Sequence, residues 1–400
     1  MIQNIVGPPV RGDDFFDRVD ELQTLWQRLE RQNVLLLAPR RVGKTSLLYR
    51  LLRDAAAKEH LHAIYFSVPD IDTELAFVQR LYEQVALAAP DALKPLQRAR
   101  QTPLGRFVRR IKSIGVSGVQ IGLQDVPPDE WRTVGAELIA AMRATRYRWI
   151  IAVDELPLFV MELLKIDSTG LRARNFLHWL RDLRQGPLQV EDSLRWVLAG
   201  SIGLDTVTRR YRMGDAINDL HIMHIGPFSK ENADRFLQEL SASAGLQVAP
   251  DSRRRLSELA GWRIPYHLQL LFSMFHDLCR ERRTTNGSPE LAEEAFELLL
   301  EPSRRAYFDY WTQRLVDELG APHEARALLL LKACAAQPTG ASRESLRSLL
   351  GMQMSDVRER DDELSWLLDV LQADGYLVEA DGRFGFRAEL LRRFFLRRFE

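Results

Sequence analysis

A chain of 400 residues is longer than one compact core usually organises and has room for two or three domains. Its composition, 46% hydrophobic and 28% charged, is that of an ordinary globular protein. Lys plus Arg and Asp plus Glu both number 55, so the formal charge is zero, which argues against a protein whose main work is gripping a phosphate backbone while leaving room for local basic patches.

Residues 1–17 read as an irregular leader with Gly7-Pro8-Pro9 and Gly12-Asp13-Asp14; Met1 to Val10 lacks the basic start and apolar run of a signal peptide. A helix is expected from Val19 to Gln32, with Leu22, Leu25, Trp26 and Leu29 on one face. The short run Asn33 to Leu37, bounded by Ala38-Pro39, reads as a buried parallel strand, and helical periodicity resumes from Thr45 to Lys58. Further strands are expected over Ala63 to Val68, Trp149 to Val153, Leu194 to Gly200 and His221 to Ile225, with helical sequence over Thr73 to Ala88, through Phe159, and over Leu171 to Leu183. Strands alternating with helices predict an α/β fold, a mainly parallel sheet covered on both faces. Ile111 to Asp125, with β-prone residues among Gly115, Gly118 and Gly122, reads as an inserted β-hairpin that delays the third strand.

After Ile225 the strands stop and a helical block follows over Lys230 to Leu240, Ser252 to Leu259, Pro265 to Arg280 and Glu290 to Leu300. From Pro302 the chain is helical again until Gly375, where Tyr376 to Glu379 and Arg383 to Phe386 flank Asp381-Gly382, a strong hairpin signal. Helices, a hairpin and a last helix fit a winged-helix domain. The expected division is a leader 1–17, a nucleotide-binding core 18–226 with the insertion near 111–125, a helical lid 227–301 and a winged-helix-like domain 302–400. Cys279 and Cys334 sit in apolar helical stretches and read as core residues of a reducing compartment. No apolar stretch reaches the ~20 residues that span a bilayer, so a cytoplasmic protein is expected.

Ala38 to Thr45 follows a strand and opens a helix, the context that a Walker A phosphate loop requires. Gly43 lets backbone N–H groups close around phosphate oxygens, Lys44 supplies a charge for the β- and γ-phosphates, and Thr45 can ligate Mg²⁺. The nucleotide-binding set is therefore Pro39, Arg40, Arg41, Val42, Gly43, Lys44, Thr45 and Ser46, with Ala38 where the pattern has its first Gly. Trp149 to Glu155 is the natural Walker B partner: Asp154 would hold Mg²⁺ and Glu155 would orient or deprotonate the attacking water. Ser201, closing the fourth strand, would sense the γ-phosphate, as a polar residue does where an extra strand lies between the Walker A and B strands (the ASCE type), or else cap the next helix.

The segment Phe15-Phe16-Asp17-Arg18-Val19-Asp20-Glu21-Leu22, the pair Arg40-Arg41, Asp154-Glu155, Gly200-Ser201, Gly226-Pro227-Phe228-Ser229 and Ile264-Pro265-Tyr266 together resemble the archaeal-type ATPases of the STAND and AAA+-related P-loop NTPases, including bacterial members, over about residues 10 to 300. The resemblance implies an ATP-driven switch in which Phe16 to Arg18 lie near base and ribose and Pro265, in the lid, packs on the adenine. Gly261-Trp262-Arg263-Ile264-Pro265 departs from the commoner Gly-Gly-x-Pro form, and Pro265 is also an ordinary first-turn helix proline. The chain has no room for the long repeat arrays of large STAND proteins. Where many of them place an arginine after the fourth strand it has Ser201-Ile202-Gly203, so Arg209, Arg210, Arg181 and Arg184 are candidates to serve in that role or are solvated surface arginines.

In the last domain, the expected recognition helix opens Ser355-Asp356-Val357-Arg358-Glu359-Arg360-Asp361-Asp362-Glu363, where acids outnumber bases. DNA contact is disfavoured there, and a protein partner, self-association or internal packing is expected instead. Arg392 to Phe399 reads either as a docked terminal helix or as a basic amphipathic helix on an anionic surface, with the former favoured. A DNA-associated ATPase similar to origin-recognition or transposition helpers is the alternative to the switch.

Overall fold

In the computed structural model the described residues are 2–93, 102–108, 130–186, 193–200 and 203–399. The hairpin expected over 111–125 and the sensor candidate Ser201 lie outside them. Five strands, β1 Asn33–Leu37, β2 Leu61–Ser67, β3 Arg148–Asp154, β4 Leu194–Gly200 and β5 Leu220–His224, form one sheet in the order β2-β3-β4-β1-β5. All four pairings are parallel. The strand between β1 and β3 is therefore β4, as the ASCE order requires.

These strands read as unbroken apolar runs because both of their faces are covered. Successive side chains enter opposite cores: Val34, Leu36, Ile150, Ala152, Val197 and Ala199 on one side, Leu35, Leu37, Ile151, Val153, Trp196 and Leu198 on the other. The second core is closed by helices Glu74–Ala88, Glu130–Arg143, Leu156–Ile166 and Leu171–Gln185. Helix Glu130–Arg143 was not anticipated from the sequence pattern; the short helix Leu204–Arg210 follows the fourth strand.

The first core runs from helix Lys44–Ala56 into helices Lys230–Ser243, Pro250–Ala260, Pro265–Glu281 and Pro289–Leu299, and on into the C-terminal helices without a break. Ser229 and Ser288 begin their helices by accepting from the N–H groups of Asn232 and Leu291, and three of these helices open on proline. The strands do not stop after β5. A two-residue parallel pair, β6 Gln247–Val248 with β7 Asn286–Gly287, ties this block together; two residues are too few to leave a periodic signal.

Helices Ala306–Leu319, His323–Ala336, Arg343–Gly351 and Val357–Ala373 lead to β9 Leu377–Ala380 and β10 Arg383–Phe386, preceded in sequence by β8 Ala341–Ser342. The small sheet has the order β8-β10-β9. Ala380 pairs with Arg383 across Asp381 and Gly382, whose φ angles of 51° and 73° are those of the two-residue turn that Asp-Gly favours. Helix Glu389–Phe399 docks: Leu390, Leu391, Phe394 and Phe395 are buried in the first core, and Arg393 and Arg397 hold Glu297 at 2.5 and 2.7 Å. Both cysteines are buried and free, as expected. Among the described residues no helix is long and apolar enough to cross a membrane.

Candidate functional site

The loop from Ala38 to Gly43 leaves the carboxyl end of β1 and turns into helix Lys44–Ala56. Gly43 has φ 101°, a conformation only glycine adopts without strain, and Arg41 has φ 66°. Ala38 is not among the residues of positive φ, so the departure from glycine there carries no backbone cost.

On the far side of β4, β3 ends on Asp154 and the chain bends at Glu155, a non-glycine residue at φ 59° that opens helix Leu156–Ile166. These two turns meet. Lys44 Nζ lies 3.0 Å from Asp154 Oδ1 and 2.9 Å from Glu155 Oε1. Thr45 donates to Asp154 Oδ2 at 2.7 Å and the Tyr65 hydroxyl donates to the same oxygen at 3.3 Å. Lys44 and Asp154 are only 6% and 2% exposed, so these charges are held against each other and not against bulk water. Burial alone would lower the Lys44 pKa, but the charges of Asp154 and Glu155 outweigh it and raise it. Burial, then the Asp154 charge, pushes the Tyr65 hydroxyl up, which keeps it a donor.

The cluster lies beside a cavity of about 260 Å³ lined by the loop, by Glu155, by Phe16, Phe228 and Phe236, by Pro265, Tyr266 and Gln269, and by leader residues Gly7 to Val10. Phe16 packs on Phe236 and Phe228 at 5.1 and 5.8 Å between ring centroids. Pro265 approaches the loop: its Cγ would be 4.0 Å from a Cβ placed on Gly43. Arg18 lines the cavity too but is 5% exposed and already engaged, with Glu21 at 2.6 Å and the carbonyls of Val42 and Gly226 at 3.1 and 2.8 Å. It ties the leader to the loop and to the end of β5. The guanidinium of Arg41 donates to Gly7 O at 2.6 Å and sits 4.7 Å over the Tyr266 and Tyr310 rings; Arg40 lies 5.5 Å over Tyr310. Ser46 Oγ accepts from Val10 N at 3.1 Å.

The four finger candidates divide. Arg184 is buried and bidentate to Asp219 at 2.9 and 2.7 Å, with Ala216 O a third acceptor, so it is neither solvated nor free to reach another site. Arg181, on helix Leu171–Gln185, is half-buried. Arg209 and Arg210 instead reach helix Val357–Ala373: Arg209 pairs with Asp369 at 3.1 Å, and Arg210 with Glu363 at 3.3 Å while stacking on Trp366 at 3.6 Å. A second contact brings the C-terminal helices to the loop itself. A Cβ on Gly375 (φ 91°) would meet Trp262 at 2.6 Å and Pro39 at 3.1 Å, and the neighbouring Asp374 is buried against Arg314 at 2.9 Å.

The sequence reading missed Tyr65 as a donor to Asp154, and Gln269 and Gly7 to Val10 as cavity wall. Period-2 alternation could have found Tyr65: it and Ala63 share the β2 face that packs on the first core, the face to which Asp154 points from the neighbouring strand. Gln269 carries no comparable signal.

The fit to Mg²⁺ rests on the donors present. Among the described residues no cluster of three or more His, Cys, Asp or Glu could cage a metal. A hydroxyl and one carboxylate, Thr45 and Asp154, suit an ion that keeps water and takes its other oxygens from phosphate.

No family model matches this sequence, and no curated protein matches it. Among solved structures the fold is similar to the Walker-type ATPase PABY2304 of Pyrococcus abyssi, at 18% identity and a TM-score of 0.59, covering 98% of this chain and 99% of that one. It is also similar to the ORC2 protein of Aeropyrum pernix in its ADPNP–ADP complexes, at 12% identity and a TM-score of 0.56, covering 96% and 95%. At these identities the likeness concerns the fold: a P-loop NTPase sheet with flanking helices, followed by a helical C-terminal region.

Proposed function

We propose that this chain binds ATP with Mg²⁺ and hydrolyses it as a molecular switch of the STAND and AAA+-like class. The observation that carries the reading is the meeting of Lys44, Thr45, Asp154 and Glu155 at one end of the cavity. Backbone amides of Pro39 to Ser46 and the Lys44 ammonium would hold the phosphates. Thr45 and Asp154 would hold Mg²⁺, which, when bound, neutralises charge building on the phosphate oxygens. Lys44 would exchange its two carboxylates for phosphate, freeing Glu155 to accept the proton of the attacking water. Phe16 and Pro265 would enclose the base; Arg18 would hold that wall in place. Ser201 remains the candidate γ-phosphate sensor.

The coupling route is supported by two contacts. Gly375 packs against Pro39, and Arg209 and Arg210 tie helix Leu204–Arg210, which follows β4, to helix Val357–Ala373. We divide the chain as leader 1–17, core 18–226, lid 227–301 and winged-helix-like domain 302–400. A protein partner or a second copy is the favoured recipient of the signal. Of the acids that disfavour DNA, Glu363 is already paired with Arg210 and Asp361 with Arg347.

The test is phosphate release and equilibrium binding of Mg·ATP by the purified full chain. Glu155→Gln should leave ATP bound while turnover drops about 10²–10⁴-fold, the range a general base supplies. Equal turnover in the variant would remove Glu155 from the chemistry, and failure of the unaltered chain to take up Mg·ATP would end the reading. ATP-dependent shift of duplex DNA at physiological salt would favour the DNA-associated alternative.

A further inference from the structure

Nearly every polar side chain lining the cavity is spoken for. Asp14 accepts from Gln3 N; Arg18 and Arg41 hold carbonyls; Lys44 holds Glu155 and Thr45 donates to Asp154; Ser46 accepts from Val10 and Tyr266 donates to Tyr307 O. Gln269 is the exception. It is 8% exposed, lines the cavity, and among the described residues its carboxamide has no hydrogen-bond partner; only its backbone oxygen is used, accepting from Asn4 Nδ2 at 3.2 Å. Neither carboxamide atom is sealed off, so both stay open to the cavity, where the edge of a ligand would meet them.

Its position fits a base reader. Gln269 is four residues after Pro265 on helix Pro265–Glu281, so the two side chains share one face, and Pro265 abuts Gly43. The walls around it are flat and apolar: Phe16, Phe228, Phe236 and Tyr266. Asn4 fixes the helix turn that carries the carboxamide, and the leader it belongs to is pinned again at Gly7 and Val10.

We infer that Gln269 selects adenine by a two-point hydrogen bond to the base edge. This inference rests on the ATP reading and names the group that would make it specific for ATP. A carboxamide offers one acceptor oxygen beside one donor NH₂. Adenine offers the complement, an amino donor beside a ring-nitrogen acceptor. Guanine's carbonyl and ring N–H can meet the same carboxamide turned over, but guanine brings an additional amino donor, and Arg41 Nε, buried without a partner in the same cavity wall, is itself a donor and cannot accept from it. One of its polar groups would be buried unsatisfied, which is the basis of rejection.

The experiment titrates the full chain with Mg·ATP and Mg·GTP by calorimetry. The unaltered protein should bind ATP at least about tenfold more tightly than GTP. Gln269→Leu, which keeps the volume and removes both polar atoms, should weaken ATP about tenfold, weaken GTP by less and flatten the ratio. Gln269→Glu offers two acceptors, mismatched to adenine and matched to the two adjacent N–H donors of guanine, so it should turn the ratio toward GTP. A merely structural Gln269 would weaken both nucleotides alike and give no gain for guanine. If the unaltered chain binds ATP and both variants keep its ATP:GTP ratio within about twofold, the inference falls and the ATP reading stands. If the unaltered, folded chain binds neither nucleotide, both fall.

Discussion

Lys44 lies between two carboxylates, and Glu363 lies among two arginines and a histidine. Glu363 is 5% exposed and meets His323 at 2.5 Å, Arg326 at 3.3 Å and Arg210 at 3.3 Å. Both groups are buried ions held by several partners, yet their surroundings differ. The partners of Lys44 both come from the end of one strand, β3, and face a cavity, so a phosphate and a metal can replace one carboxylate contact after another. The partners of Glu363 come from helix Leu204–Arg210 on one side and helix His323–Ala336 on the other, with Glu363 itself on a third helix, so its satisfied state is a joint between elements. A buried charge cluster is therefore a site when it opens on a cavity and a fastener when it bridges packed helices.

Lys44→Ala would separate the two most sharply. Its removal leaves Asp154 and Glu155 side by side without a cation, a loss of about 3–5 kcal/mol in the free protein by the usual cost of breaking a buried pair. Urea unfolding should show that loss, added Mg²⁺ should recover part of it, and Mg·ATP affinity should fall by more than about 100-fold. A variant with unaltered ATP affinity would make the Lys44 cluster a fastener like the other.

Acid pH tests the joint against a buried neutral group. His267, on helix Pro265–Glu281, is fully buried, its Nδ1 3.3 Å from Trp262 O, and burial pushes its pKa down to about 4. The unfolded chain takes up that proton near pH 6.5 and the folded chain does not, so stability falls as pH drops from about 6.5 to 4, by about 3 kcal/mol. Glu363 behaves oppositely in cause and later in pH. Burial would raise it, but His323 and then Arg210 and Arg326 hold it below the ordinary value. Its contribution is complete above the normal glutamate pKa and is lost as pH falls through its lowered one. Urea midpoints between pH 7 and 4 should decline in the unaltered chain, and the decline should be largely absent in His267→Gln.

Glu363→Ala should cost about 2–3 kcal/mol, because it strands Arg210, His323 and Arg326, which are partly exposed and recover some hydration. Mg·ATP affinity should stay within about threefold. If affinity falls with stability, the joint reaches the cavity and the distinction drawn between the clusters fails.

Much of the cavity end of this comparison was legible in the sequence, and almost none of the joint was. Buried parallel strands leave short apolar runs, so β1 and β4 were readable to the residue, and Gly43-Lys44-Thr45 after a strand is a local pattern with a local cause. Glu363 meets Arg210 across 153 residues and His323 across 40, and no spacing rule joins such positions. The acid-rich start of helix Val357–Ala373 read as a protein-contact or internally packed surface without naming a partner; Glu363 and Asp361 pair with Arg210 and Arg347. Arg18, set beside the ribose by resemblance, is spent on backbone carbonyls. The leader appeared irregular because its order comes from Arg41, Ser46 and Gln269, not from its own periodicity.

Arg209→Ala should have the smallest effect. Arg209 runs parallel to Arg210 from the same short helix to the same partner helix, but its side chain is 66% exposed and its acceptor Asp369 is 42% exposed. An exposed ion pair contributes about 0.2–1 kcal/mol, because water already solvates both ends and two long side chains lose freedom to meet. Urea unfolding should therefore move by less than about 1 kcal/mol, and raising salt should shrink even that. A loss as large as that of Glu363→Ala would place the strength of the joint on its exposed rim, and burial would no longer explain why one arginine of the pair matters and the other does not. Turnover measured over a range of protein concentrations adds a second reading: if Arg209→Ala lowers it only where chains associate, Arg209 leaves the Asp369 contact to serve a neighbouring copy, and its weak hold here is what allows it to go.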